Sequence, residues 1–468
     1  MSIPAASKPR FSPLERRVLI TLILLGLVLP VGFIVWRISI SIKIHYDLAA
    51  LRKAGYPISM EDLERMYYPK FKPEENAATF FTEAFQHLVL NGSEHRVIGL
   101  ISSYGKLPRG AIHLSGEDKE RIAKVLAENR EALETLRKIP PASTCRYPAD
   151  ASLGMDIKLP HLESIGSAVE LLLLDAILDA GDNKPAETTE NLLAALRLTK
   201  SLAEDPWLAS QQCRVKCRAE IYSSLENVLN TKQLGEVQLL ELSRAFHREE
   251  NSQAVEHAMA CFCCMLIQAF EMSGPEFDAP APDPSDSYGL DLQPSTNTVR
   301  MGVKFLKLTG FKLKEYDIFL RTVSRDLADL KLPFPGKLDA AAETQRMLGK
   351  ERPGEMYPVS VMPHATSVLI SHEAHDLACL YMTQTALAIE RYRLATQDRI
   401  PDKLDDLVPS LLPSVPADPF DGKPLRFKKL PKGYMVYSIG PDRKDDDGVE
   451  RNPKKPGSAE DITFTVER

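Results

Sequence analysis

The sequence predicts a mainly α-helical, membrane-anchored protein: an N-terminal transmembrane helix, an irregular array of α-helical hairpins, and a small C-terminal α/β head. Three observations lead there. Val18 to Trp36 runs nineteen residues without a charge, long enough for a helix to cross a bilayer. Beyond it Leu and Ala recur at helical spacing while aromatic residues are only 7% of the chain, which favours helices over extended sheet. From Asp418 onward the pattern changes to turn signals, short apolar runs and clustered carboxylates.

Residues 1–17 read as a cytoplasmic tail and 18–36 as the span. A cleaved signal peptide has a shorter apolar core followed by a small-residue cleavage site. Here Trp36, suited to the membrane interface, and Arg37 follow instead, so the segment reads as a retained anchor in contact with the lipid bilayer. Pro30 is tolerable within a membrane helix. Lys8, Arg10, Arg16 and Arg17 precede the span, and Arg37, Lys43, Arg52 and Lys53 follow it. The nearest flanks carry a slight basic excess before the span, which places the N-terminus inside. The expected location is the inner (cytoplasmic) membrane, single-pass, with the bulk of the chain periplasmic or extracytoplasmic.

Residues 37–272 read as a helical body. The anchor helix continues to about Ala54, where Gly55-Tyr56-Pro57 breaks it. Ser115 with Asp118 resembles a capping box opening a helix to about Ile139, which Pro140-Pro141 stops. Three helices follow between Leu162 and Leu229, divided at Gly181-Asp182 and Asp205-Pro206, with Pro185 in the first turn of the second. A helix pair spans about Gly235 to Met272. Residues 273–297 are Pro-rich and acidic and read as an exposed loop or linker. Residues 298–370 read as a helical segment, and 371–468 as a long helix, about Ser371 to Thr396, delivering the chain into the head.

The net charge of −6 is near balance and no basic stripe stands out, so no nucleic-acid footprint is present. The seven cysteines are odd in number and lack disulfide-scaffold spacing. They read as small core residues, although an extracytoplasmic location would oxidise them if exposed. No Gly-rich phosphate loop, nucleophile elbow or cofactor fingerprint occurs.

The head reads Asp418 to Leu425 (DPFDGKPL) as a tight turn, Gly433 to Asp442 (GYMVYSIGPD) as strand and loop, then Asp445, Asp446 and Asp447, and a closing strand from Asp461-Ile462. Carboxylates and backbone carbonyls converging from one loop are calcium chemistry. The alternative is a solvated acidic loop. This order of pieces resembles the globular head of the major pseudopilin of type II secretion, with its "DPWGNPY" turn, "YSLGADG" strand-loop and "DADI" closing segment. The matching positions are Asp418 to Leu425, Tyr437 to Asp442 and Glu460 to Ile462, less than a fifth of the chain. The resemblance implies a borrowed head module that binds calcium through Asp442, Asp461 and one or more of Asp445, Asp446 and Asp447. Two features depart from the family. The apolar segment lacks a prepilin-peptidase site and lies roughly three hundred residues from the head, and the Gly following the loop Asp is Arg443.

The whole layout is also similar to a group of membrane-anchored proteins from planctomycete-type bacteria. The shared segments lie in Ala54 to Phe85, Arg146 to Asp150 (RYPAD), Leu159 to Leu162 (LPHL) and the tail above. That resemblance implies architecture and no activity.

Outside the loop, His372, His375, Asp376 and Cys379 fall at i, i+3, i+4 and i+7, on one helical face, and are zinc-ligand types. The sequence is HEAHD, not HExxH, and a polar face packed on its neighbours is the plainer explanation. Cys261, Cys263 and Cys264 point around much of an apolar helix, as core residues do. Cys213 and Cys217 lie near Arg214 and Lys216 but have no evident base. The expectation is a non-enzymatic envelope scaffold whose helices and head bind other envelope proteins, with calcium ordering the acidic loop. The pseudopilin resemblance adds a relation to secretion or pilus-like assemblies. The alternative is a membrane-anchored, metal-dependent hydrolase built on the His/Asp/Cys face.

Overall fold

The computed structural model describes residues 12–67, 76–89, 114–140, 144–231, 234–249, 253–271, 311–351, 357–450 and 460–468. The stretch expected as a Pro-rich loop (273–297) and the start of the next helical segment (298–310) lie outside them.

Helix α1, Pro13–Lys53, is one continuous element. It is long and apolar enough to cross a membrane, and its most apolar window is not buried by the rest of the chain. Past Trp36 one face turns inward: Ile44 and Leu51, one heptad apart, are buried, with Ile40 and Leu48 packed beside them. Gly55 ends the helix at φ +89°, a left-handed conformation that costs glycine little. In α2, Met60–Tyr67, Asp62 is buried and clamped by Arg52 (Nη2 to Oδ2, 2.7 Å) and Arg65. The Arg52 hydrogen bonds hold the Asp62 carboxyl below the usual carboxylate range.

After α3, Ala78–Gln86, the helix expected from Ser115 to Ile139 is two: α4, Gly116–Glu128, and α5, Arg130–Lys138. Ser115 caps α4 as anticipated, accepting from the Asp118 amide at 3.0 Å. The break falls at Asn129, whose buried side chain donates to Val125 O (3.0 Å) and accepts from the Val89 amide (2.8 Å). That tie across the chain outweighs helix continuity. Helices α6 (His161–Gly181), α7 (Pro185–Lys200) and α8 (Leu208–Thr231) form the expected serial trio. Leu171 to Leu174 are all buried, because α7 and α8 both pack on α6.

Helices α9 (Glu236–His247), α10 (Gln253–Glu271), α11 (Phe311–Asp329) and α12 (Gly336–Glu351) lead to α13, Tyr357–Ala395, which begins well before the expected Ser371. At about 1.5 Å per residue α13 is about 58 Å long. It serves as a spine through two apolar clusters. Ala365, Leu369 and Ile370 join a first cluster, packed against α1, with Ile44, Leu51, Leu63, Phe262 and Phe319. Ala374 to Ile389 join a distal cluster holding α3 to α9 and the head. All seven thiols are free; six are buried in these clusters and Cys379 is half-buried.

The head is a three-stranded antiparallel sheet in the order β1 (Arg426–Leu430), β2 (Gly433–Ser438), β3 (Ile462–Glu467). Strand β2 is central and wholly buried, and both β2 and β3 lie on α13. Only glycine fits at Gly433, where a Cβ would lie 1.8 Å from Val466 O. The outer edge of β3 is satisfied by side chains of α8. Glu226 accepts from the Thr465 amide (2.7 Å), and Asn230 donates to Thr465 O (2.8 Å) while accepting from the Glu467 amide (2.7 Å). Beneath the sheet, Tyr434 Oη donates to Glu390 Oε1 at 3.0 Å, and the Arg468 guanidinium reaches Glu390 and Leu229 O.

Glu170 on α6 and Glu220 on α8 are a buried carboxyl pair. Neither Glu220 oxygen has a hydrogen-bond partner, and the Lys216 ammonium stands 3.8 Å from Oε1. Burial pushes Glu170 to about 8, helped by Glu220, and pushes Glu220 to about 7 against the pull of Lys216. A raised carboxyl pKa means that the fold holds protons the unfolded chain releases. The stabilisation is therefore complete below the ordinary glutamate value of 4.5 and is lost as pH rises through 7 to 8. Glu220→Gln is expected to flatten the fall in melting temperature between about pH 5 and about pH 9. Parallel declines in wild type and variant, read by circular dichroism, would contradict this.

Candidate functional site

The site is built on the Asp418 turn. Asp418 is fully buried, and its carboxylate accepts from the amides of Phe420 (3.0 Å) and Ile439 (3.0 Å) and from Ser438 Oγ (2.9 Å). Gly422, at φ +75°, lets its amide return to Asp418 O at 2.8 Å. Arg426, the first residue of β1, closes the turn through Asp418 Oδ2 (2.8 Å) and a fork onto Asp421 (2.6 and 3.2 Å). Partial burial pushes Asp421 up, and the Arg426 bonds more than offset it, leaving the carboxyl below its ordinary value. Arg426 Nε also stands 3.7 Å from Asp445 Oδ2, joining the turn to the acidic loop.

The loop from Gly440 to Gly448 is folded by left-handed residues. At Gly440 (φ +67°) a Cβ would lie 2.0 Å from Glu460 O. Arg443, where the pseudopilin motif has glycine, takes the left-handed conformation itself (φ +56°), and its guanidinium bonds Asp339 of α12 at 2.6 Å. Asp442 accepts from the Lys444 amide (3.1 Å) and faces its ammonium at 3.6 Å. Asp445 accepts from Tyr437 Oη (3.2 Å) and the Asp447 amide (3.1 Å), and Asp447 pairs with Lys428.

Asp461 is the floor of the loop and is only 2% exposed. Its Oδ2 accepts from the amides of Asp446 (3.1 Å) and Gly448 (2.8 Å). Its Oδ1 is buried with no hydrogen-bond partner. Burial raises the Asp461 pKa; the two amides oppose that, and Asp445 and Asp446 add to it by repulsion. Of the five expected ligands, Asp445 and Asp446 repel Asp461, while Asp442 and Asp447 face Lys444 and Lys428. Among the described residues, no group of three or more His, Cys, Asp or Glu side chains is placed to hold a metal ion. What a cation is offered is one unsatisfied buried carboxylate oxygen, that of Asp461. Loop carbonyls and water would have to supply the rest of a calcium shell.

The face on α13 divides. His372 is exposed. His375 Nδ1 lies 3.7 Å from Cys379 Sγ. Asp376 turns to Arg218 Nε (3.3 Å) and accepts from Tyr222 Oη (3.2 Å). The pairing partner, Arg218, belongs to a buried charge network that sequence reasoning missed. Arg214 and Arg218, one turn apart on α8, are 5% and 3% exposed and face Glu249 and Asp376. Placing charged residues at the buried positions of an otherwise core-facing helix was the available signal.

The chain matches no family model, no curated protein and no solved structure.

Asp418→Ala is expected to destabilise the protein by about 3–5 kcal/mol, since it leaves the buried Phe420 and Ile439 amides and the Ser438 hydroxyl without their acceptor and takes from Arg426 one of the two carboxylates it bonds. Urea denaturation followed by circular dichroism measures this. A loss under about 1 kcal/mol would show that the turn is held by something else.

Proposed function

We propose that the chain is a membrane-anchored, non-enzymatic scaffold of the cell envelope, whose helical body presents a calcium-responsive head to other envelope proteins. The observation that carries this reading is a continuous path of rigid structure. Helix α1 runs unbroken from the apolar segment into the cluster around Ile44 and Leu51, and α13 runs from that cluster to the underside of the sheet. A head so fixed is suited to holding a partner at a set height and orientation. The near-balanced charge and the absence of a catalytic motif in the sequence fit a protein-binding role.

Calcium is supported by the unsatisfied Asp461 oxygen and by the order of turn, strand, acidic loop and closing strand that resembles the pseudopilin head. Asp461 would be the anchoring ligand, with Asp445 and Asp446 nearest. A bound calcium would neutralise their repulsion and fix the loop. A relation to secretion or pilus-like assemblies rests on the same resemblance.

Calorimetric unfolding of the full chain in detergent micelles, with chelator, calcium or zinc, tests the reading. Calcium at about a hundred times its dissociation constant should stabilise wild type by about 2.7 kcal/mol. Asp461→Asn keeps an oxygen for the Asp446 and Gly448 amides but puts an amide nitrogen where the unpartnered oxygen stood, and should abolish the shift. An equal response in the variant, or none in wild type, removes calcium from the reading. A zinc response lost in His375→Ala would replace the scaffold by the hydrolase.

A further inference from the structure

Beyond Trp36 the two faces of α1 meet different surroundings. Ile40, Ile44, Leu48 and Leu51 pack into the body. On the opposite face Ile38, Ile42 and Tyr46, spaced at i, i+4 and i+8, are 53%, 52% and 73% exposed. Upstream the same stripe continues through Val31 (60%) and Ile34 (54%), so it joins the charge-free span without a gap. Both cations nearest the stripe are drawn off it. Arg37 lies over the Phe33 ring, 5.8 Å from its centroid, and Lys43 pairs with Asp317 of α11 at 2.6 Å.

We propose that this outer stripe is bedded in lipid: α1 leaves the bilayer at a tilt, with Ile38, Ile42 and Tyr46 in the boundary between headgroups and acyl chains and the body on its upper side. The inference rests on the reading of residues 18–36 as a membrane span. Three physical points favour lipid over water or a second helix. The stripe is continuous with the surface that already faces lipid. From Val18 to Ile42 the helix rises about 36 Å, against a hydrocarbon core about 30 Å thick, and a surplus of that size is absorbed by tilting. Tyrosine at the end of such a stripe places an apolar ring in the boundary and its hydroxyl in the headgroups. Because the body grips the other face of the same helix, the tilt also fixes the rotation of the body about the membrane normal.

The test places single nitroxide labels on the full chain in phosphatidylethanolamine–phosphatidylglycerol nanodiscs. Leu24→Cys, Ile42→Cys, Tyr46→Cys and Lys53→Cys are each made with Cys379→Ser, since the other thiols are buried. Power saturation then compares collision with dioxygen, which concentrates in lipid, and with a water-soluble nickel chelate. The expected result is that Ile42 and Tyr46 positions behave like Leu24, favouring dioxygen, while Lys53 favours nickel. If Leu24 favours dioxygen but both stripe positions favour nickel, the bedding is wrong and the anchor stands. If Leu24 itself favours nickel, the anchor reading fails. Stripe positions shielded from both reagents, with dipolar broadening that grows with protein-to-lipid ratio, would overturn lipid in favour of a second copy of α1.

Discussion

A sheet of three strands, each five or six residues long, has an apolar face that must be buried against another element. That constraint governs the distal half of the molecule. The sheet must borrow a floor, and α13 supplies it beneath β2 and β3. It must also lose an open edge, since unpaired strand groups invite association, and α8 supplies that through Glu226 and Asn230. The result is that head and helices share one apolar cluster and cannot be exchanged as separate blocks. The acidic loop inherits its position from this arrangement, because β2 and β3 set the distance between Gly440 and Asp461.

The long-range order of the chain was legible because it is written in local signals. Gly55, Gly181-Asp182 and Pro185 punctuate helices where the structure also divides them, and the apolar span announces α1. The early start of α13 and the break at Asn129 were not legible. Each is tied to a partner distant in the chain that no local pattern names, Val89 for Asn129 and Asp326, bonded by Thr366, for the first part of α13. The sheet was readable as turn, strand, loop and strand, whereas the use of Asn230 as an edge cap was not. On sequence alone Asn230 is an ordinary polar residue near the end of a helix.

Sequence reasoning singled out the acidic residues of the loop and overlooked the cations among them. Arg426 holds Asp418 and Asp421 and reaches toward Asp445, while Lys428 and Lys444 take Asp447 and Asp442. Carboxylate counting therefore overstates the charge open to a cation, and Asp461 is distinguished by burial instead. The His/Asp/Cys face failed to converge for a related reason. Asp376 is spent on Arg218, a buried guanidinium that needs a counter-charge more than the face needs a third ligand.

The bond between Asn230 and Thr465 joins positions 235 residues apart. At a synthesis rate of about 5–20 residues per second, the strand that completes the sheet follows its helix by roughly 10–50 s. Throughout that interval the distal cluster lacks the β2 and β3 residues that fill it, and the polar groups of Glu226 and Asn230 have no strand to receive. The nascent helices therefore wait with an apolar face open, which makes their protection from premature association a matter of timing rather than of final stability.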